Sequence, residues 1–312
     1  VVGDPDEVAD LLRRQPARRA GRDELTRAHP EFAQVSPQAG ELDDAALADL
    51  AARDPDAAAR LLTALGRAFD PALRAAARAL AVRLPVTVPR TGVPDRPGSR
   101  RVVTRRDPTG ADIDLDATLA ARGAEPHWRA EHLHTRSWRA TGRACVLVVD
   151  ASGSVAGDEL AAAVLTAAAL AQRMRPGDEL AVVAFWSTAV VLQPLAADIR
   201  PDVVVDRLFE LRGGGTTDLD LGLRTAAQQL SRTRTAARDV LLLSDGMPTE
   251  SPDPRPAAAA LARGGARLHV LGLSAQPESV ENCAALAAAG SGRAAALHRP
   301  SQAPAAIRHL LD

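Results

Sequence analysis

An α/β fold is predicted: a doubly wound, mostly parallel sheet with helices on both faces, preceded by a mainly helical N-terminal segment. Three observations predict it. The runs Val146–Val149, Leu180–Phe185, Val240–Leu243 and Leu268–Leu271 are apolar without alternation, as strands covered on both faces are. Stretches with helical spacing separate these runs, the order that builds parallel sheets. The chain has 312 residues, 46% of them apolar, enough to bury a real core.

Texture divides the chain into a helical segment (1–85), a Pro/Arg-rich connecting region with short strands (86–142) and the α/β part (143–312). In the first, Asp54-Pro55 and Asp70-Pro71 each place an N-cap carboxylate before a proline suited to the first helical turn. Leu61, Leu62, Leu65 and Phe69 recur at helical spacing, and so do Leu73, Ala76, Ala77, Leu80 and Leu84; the two helices predict a hairpin.

In the connecting region, Pro85, Pro89, Pro94 and Pro97 break any helix. Arg100, Arg101, Arg105 and Arg106 flank Val102-Val103 as a charged edge strand or linker would, with a docking patch for an acidic partner as the alternative. Asp112, Asp114 and Asp116 imitate the start of a calcium loop, but Ala117 and Gly123 stand where it needs Gly and Glu, so a helix cap at Asp116 is expected instead. His127, Glu131, His132 and His134 fit no common metal spacing; Glu131–Trp138 reads as an exposed strand.

In the α/β part, the first strand leads into a helix over 159–174. Leu180–Phe185 and Ala189–Leu192 follow as strands, then helices at 202–211 and 219–231. After Val240–Leu243 come a helix at 255–264, the strand Leu268–Leu271, a helix at 278–289, the strand Ala294–Leu297 and a closing helix at 302–311.

The formal net charge of −1 leaves no global basic field, which argues against sequence-blind nucleic-acid binding. All 38 basic residues are Arg, so most isolated Arg pairs are expected to be solvated surface. Two cysteines, Cys145 and Cys283, make no disulfide framework and suggest an intracellular, cytoplasmic chain. No apolar run is long enough to cross a bilayer.

Ligands on such sheets bind at the carboxyl ends of the strands. Three loops there carry small polar residues: Asp150-Ala-Ser152-Gly-Ser154, Gly213-Gly-Gly-Thr216-Thr217-Asp218, and Ser244-Asp245-Gly246. In extended chain Asp150, Ser152 and Ser154 point to one side. The pooled donors are carboxylates and hydroxyls, without His or Cys. Oxygen donors suit a hard cation, Mg²⁺ first and Mn²⁺ or Ca²⁺ next.

D-A-S-G-S, G-G-T-T-D and S-D-G, in this order on βα units, resemble the von Willebrand factor A (VWA) domain and its metal-ion-dependent adhesion site. The resemblance covers about 143–312. It implies that Ser152, Ser154 and a Thr contact the metal directly, and that Asp150 and Asp245 hold it largely through water. Thr217, five residues before Gly222, is preferred to its neighbour Thr216. The layout of the whole chain is similar to the bacterial CoxE-like VWA proteins and to the D subunit of magnesium chelatase, which work beside AAA+ ATPases.

The resemblance therefore implies a non-enzymatic, metal-dependent protein–protein interaction module. Its partner would supply an Asp or Glu carboxylate to the metal, and would be a MoxR-type AAA+ ATPase or its client, in assembly or metallation of a target. Trp186 or Ser187, Met247–Glu250 and the Gly213–Thr216 loop would form the rim. Two alternatives stand beside it. An RNA-associated protein like the Ro autoantigen also joins helices to a VWA domain, but near-neutral charge and seven Phe and Trp speak against it. A hydrolase using the D-A-S-G-S loop lacks both a nucleophile elbow and a His in a plausible triad place.

Overall fold

Acidic caps start several helices of the N-terminal segment. Asp43 accepts from the N–H groups of Ala45 and Ala46, Asp54 from that of Ala57, and Asp70 from that of Ala72, satisfying donors a helix leaves open. In this computed structural model the segment comprises α1 (Pro5–Arg14), α2 (Arg22–Ala28), α3 (Phe32–Val35), α4 (Asp44–Arg53), α5 (Pro55–Gly66) and α6 (Pro71–Arg83). The described residues are 2–14, 18–83, 101–106, 112–123, 125–139, 142–152, 157–175, 177–249 and 252–311. Leu84, the Pro-rich stretch from Pro85 to Pro97, Arg100, Ser154 and Glu250 lie outside them.

Helices α5 and α6 pack as a hairpin, and Leu61, Leu62, Leu65, Leu73 and Ala77 meet Phe32, Leu47 and Leu50 in one core. Phe69 departs from expectation. The helix ends at Gly66, so Phe69 falls beyond its apolar stripe and is exposed. Next come β1 (Arg101–Arg106), α7 (Leu115–Arg122) and β2 (His134–Arg139); the two strands pair antiparallel as a separate ribbon. The cap of α7 is Asp114 rather than Asp116, because it is the Asp114 carboxylate that accepts from Ala117 N–H. The expected strand starts later than Glu131, since residues Ala130–His132 form a 3-10 turn.

The remaining chain builds six strands in the order β5-β4-β3-β6-β7-β8. These are β3 (Arg143–Asp150), β4 (Glu179–Phe185), β5 (Ala189–Ala196), β6 (Ala237–Ser244), β7 (Ala266–Gly272) and β8 (Ala294–Ala296). All neighbours run parallel except β4 and β5. Helices α8 (Gly157–Arg173), α9 (Pro201–Glu210) and α13 (Ala303–Leu311) cover one face, over Cys145, Leu147 and Val149. Helices α10 (Leu219–Leu230), α11 (Arg255–Arg263) and α12 (Pro277–Ala289) cover the other, over Ala144, Val146 and Val148. Neighbouring side chains on β3 thus enter opposite cores, which explains its unbroken apolar run.

The helical segment packs on the first of these faces. Helix α5 lies against α8, and α6 against α9; Ala59 and Ala81 join the core beneath them. Among the described residues no helix is long and apolar enough to cross a membrane.

Candidate metal centre

The parallel register brings the three loops together. Val149 stands opposite Leu243, so the next residues, Asp150 and Ser244, emerge side by side at the carboxyl end of the sheet. Asp150 stands opposite Phe185 on β4, and Ala151 N–H donates to the Phe185 carbonyl at 2.7 Å. The glycine loop is tied to the same strand end: Gly214 N–H donates to the Ala151 carbonyl at 3.1 Å. Gly222 faces the Phe185 ring, where a Cβ would come within 2.9 Å of ring carbons, so α10 sits close beneath the loop.

A chain of hydroxyls runs through the centre. Thr217 Oγ1 donates to Ser152 Oγ (2.6 Å), and Ser152 Oγ donates to Asp150 Oδ1 (2.6 Å). Ser152 N–H donates to the same carboxylate oxygen at 3.0 Å. The other oxygen, Oδ2, accepts from Ser244 Oγ at 2.7 Å. Ser244 Oγ in turn accepts from Gly246 N–H at 3.0 Å. Asp245 keeps to its own turn, accepting from Met247 N–H at 2.9 Å. Thr217 is held from behind by Thr249, whose Oγ1 accepts from Thr217 N–H at 2.6 Å.

Burial raises the Asp150 carboxyl above its ordinary value. The hydrogen bonds from Ser152 and Ser244 oppose this, and the nearby Asp245 charge adds to it. Glu159, in the first turn of α8, is raised too, first by burial and then by the charges of Asp150 and Asp245. Among the described residues neither Asp150 nor Asp245 has an ion-pair partner. The centre is therefore a negative concentration with neutral oxygen donors around it. That donor set fits a hard divalent cation, which would relieve the repulsion.

Of the residues expected here, Asp150, Ser152 and Asp245 follow or close neighbouring strands, and Thr217 reaches Ser152 from the loop before α10; Ser154 is outside the described residues. Thr217, not Thr216, makes the contact with Ser152. Trp186 is buried beside the glycine loop. Thr249 and Glu159 are residues that motif spacing alone does not single out; Ser244 stands in the S-D-G motif, which assigns its hydroxyl no role. Its role follows from the strand order: Ser244 comes directly after Leu243, which pairs with Val149, and so lies beside Asp150. His132 and His134 have local roles elsewhere, the His132 ring accepting from Arg129 N–H and sitting 3.4 Å from Glu125.

A family model for the von Willebrand factor type A domain matches residues 145–303, just over half of the chain. The chain belongs to this family. Solved structures similar to its VWA part include the conserved hypothetical protein BatB from Bacteroides thetaiotaomicron, at 18% identity and a TM-score of 0.44, covering 54% of this chain and 96% of that one. A von Willebrand factor type A protein from Catenulispora acidiphila matches at 22% identity and a TM-score of 0.44, covering 56% and 43%. The manganese-loaded Plasmodium vivax TRAP protein matches at 18% and 0.43, covering 54% and 73%. Among curated proteins none matches significantly.

Proposed function

We propose that the VWA part holds a divalent cation, Mg²⁺ first and Mn²⁺ or Ca²⁺ next, and uses it to bind a protein partner through an Asp or Glu of that partner. The observation that carries this reading is the convergence of Asp150, Ser152, Thr217 and Asp245, with no cationic side chain paired to either carboxylate among the described residues. Ser152 and Thr217, with Ser154, would present hydroxyl oxygens, and Asp150 and Asp245 would supply the compensating charge. Ser244 orients Asp150 by occupying its far oxygen. When bound, the cation supplies an electrophilic point for an outside carboxylate.

The partner in this reading is a MoxR-type AAA+ ATPase or the protein it remodels, in the cytoplasm, and the chain acts as an accessory without catalysis of its own. Exposed ionic contacts contribute little in water, but a metal–carboxylate bond at the dry centre of an interface can anchor one. Calorimetry with Mg²⁺ tests the first half: the wild type should bind, and Asp150→Ala should not, with its fold retained. Binding to the purified ATPase should then be lost with a chelator, restored by Mg²⁺, and abolished by Ser152→Ala with Ser154→Ala. A complex indifferent to chelator and to both serine changes would overturn the reading.

A further inference from the structure

The loop Gly213–Gly215 has no side chains to hold it, yet it delivers Thr217 to Ser152. Its leading end is gripped by the helical segment. Arg67, at the C-terminal cap of α5, donates from Nε to the Phe209 carbonyl (3.0 Å) and from Nη2 to the Leu211 carbonyl (2.7 Å). These are carbonyls that α9 leaves at its end, and a guanidinium suits them by hydrogen bonding and by charge. Burial pushes Arg67 down to about 10, while Glu210 acts to keep it charged; it stays a cation near neutral pH.

The grip itself is rigid. The Arg67 carbonyl accepts from Ala20 N–H at 3.0 Å. Gly66 lies so close to the Phe209 ring that a Cβ would stand 2.8 Å from its carbons. Glu210, between the two gripped carbonyls, pairs with Arg19 at 2.9 Å and with Arg78. Helix α5 also reaches α8, through Arg60 Nη1 and Asp158 Oδ1 at 3.2 Å in the first turn of that helix.

We infer that Arg67 is a positioning residue for Thr217, and that the helical segment thereby sets the affinity of the centre for its cation. The affinity clause rests on the metal reading above. The connection is continuous: Arg67 fixes Leu211, the glycine loop leaves from Leu211 and bonds Ala151 through Gly214, and Thr217 then meets Ser152. Linkage makes it reciprocal, so the bound cation favours the docked helices and a ligand that pulls on the helices weakens the cation.

The test uses the full chain with Arg67→Gln, Arg67→Lys and, as a control, Leu47→Ala, which opens a cavity in the helical core away from α9. Amide exchange over residues 212–217 is measured without metal, and Mn²⁺ affinity by calorimetry. Arg67→Gln should speed exchange about tenfold or more, the size expected for lost bonds from a charged donor. Its Mn²⁺ affinity should fall about fivefold or more. Arg67→Lys, with one compact donor group, should fall between; it also serves if Arg67→Gln does not fold. Leu47→Ala should change neither reading. Wild-type exchange and affinity in both Arg67 variants would overturn the inference, as would equal effects in Leu47→Ala. If the wild type takes no Mn²⁺, the metal reading fails and the affinity clause with it; exchange alone then decides whether Arg67 positions the loop.

Discussion

Gly246 turns the chain just past Asp245 with a φ of +73°, a region that side chains rarely enter. Space excludes a side chain as well, since a Cβ there would lie 2.7 Å from Cys283 Sγ. Ser279 on α12 also donates its hydroxyl to the Asp245 carbonyl. The turn is therefore fixed by its own backbone and by the helix below it. Gly246→Ala should destabilise the protein by about 1–3 kcal/mol through strain and overpacking, and should weaken Mg²⁺ binding by moving Asp245. Denaturant unfolding with a calorimetric titration checks this; an unchanged midpoint would show that the turn relaxes freely. At this scale the contact of Asp150 with Ser152 was legible because a carboxylate and a hydroxyl two residues apart share a side in extended chain, whereas Thr217 and Asp245 were reached through the family resemblance. The roles of the Ser244 hydroxyl, inside the S-D-G motif, and of Thr249 were not legible, because they depend on which segments become neighbours.

At the opposite end of the sheet from the centre, β3, β6 and β7 meet around Asp239. It is fully buried, with Arg267 Nε at 2.9 Å, Arg143 Nε at 3.4 Å and His269 Nε2 at 3.5 Å. Burial acts to raise its carboxyl, but His269, Arg267 and Arg143 together outweigh burial and hold it below its ordinary value. Removing one partner of a buried pair strands the others, so Asp239→Ala should cost about 3 kcal/mol or more. A carboxyl lowered by folding contributes stability above its unfolded value and loses it as pH falls through its folded one. The difference in unfolding free energy between wild type and Asp239→Asn should therefore shrink below about pH 4. A difference constant from about pH 7 to about pH 2 would refute the assignment. The strands were legible as apolar runs, but this network was not: Asp239 and Arg143 are ordinary polar ends of strands until the register sets Asp239 opposite Arg267, with Arg143 and His269 two residues along the neighbouring strands from its partners. The same limit explains α7, where the alternating Asp residues pointed to a cap at Asp116 and the backbone path selects Asp114.

For the whole molecule, the contact between the helical segment and the VWA part was the least legible feature, because it depends on small residues. Gly66, Ala59 and Ala81 carry little pattern of their own, yet they let α5 and α6 approach α8 and α9. Gly66→Val should push α5 from Phe209 and destabilise the protein by about 1–3 kcal/mol. The helical segment should then melt ahead of the sheet, visible as a second calorimetric transition. A single transition at the wild-type temperature would mean that the seam absorbs the extra methyl groups.

The β5 edge of the sheet bears on self-association. Val2 runs beside it in parallel, its N–H donating to the Ala189 carbonyl and its carbonyl accepting from Val191 N–H, each at 2.8 Å. Further along, Arg207 takes the Leu192 carbonyl, Pro194 has no N–H, and Leu195 N–H donates to Gln229. An open edge is a template for a second chain, and here several of its hydrogen-bonding groups are already engaged. The opposite edge, β8, is only Ala294–Ala296 long. Strand-to-strand dimers and fibrils are thus disfavoured at both ends of the sheet. Val2→Pro, which cannot donate to Ala189, should raise the tendency to associate, read by light scattering as concentration increases.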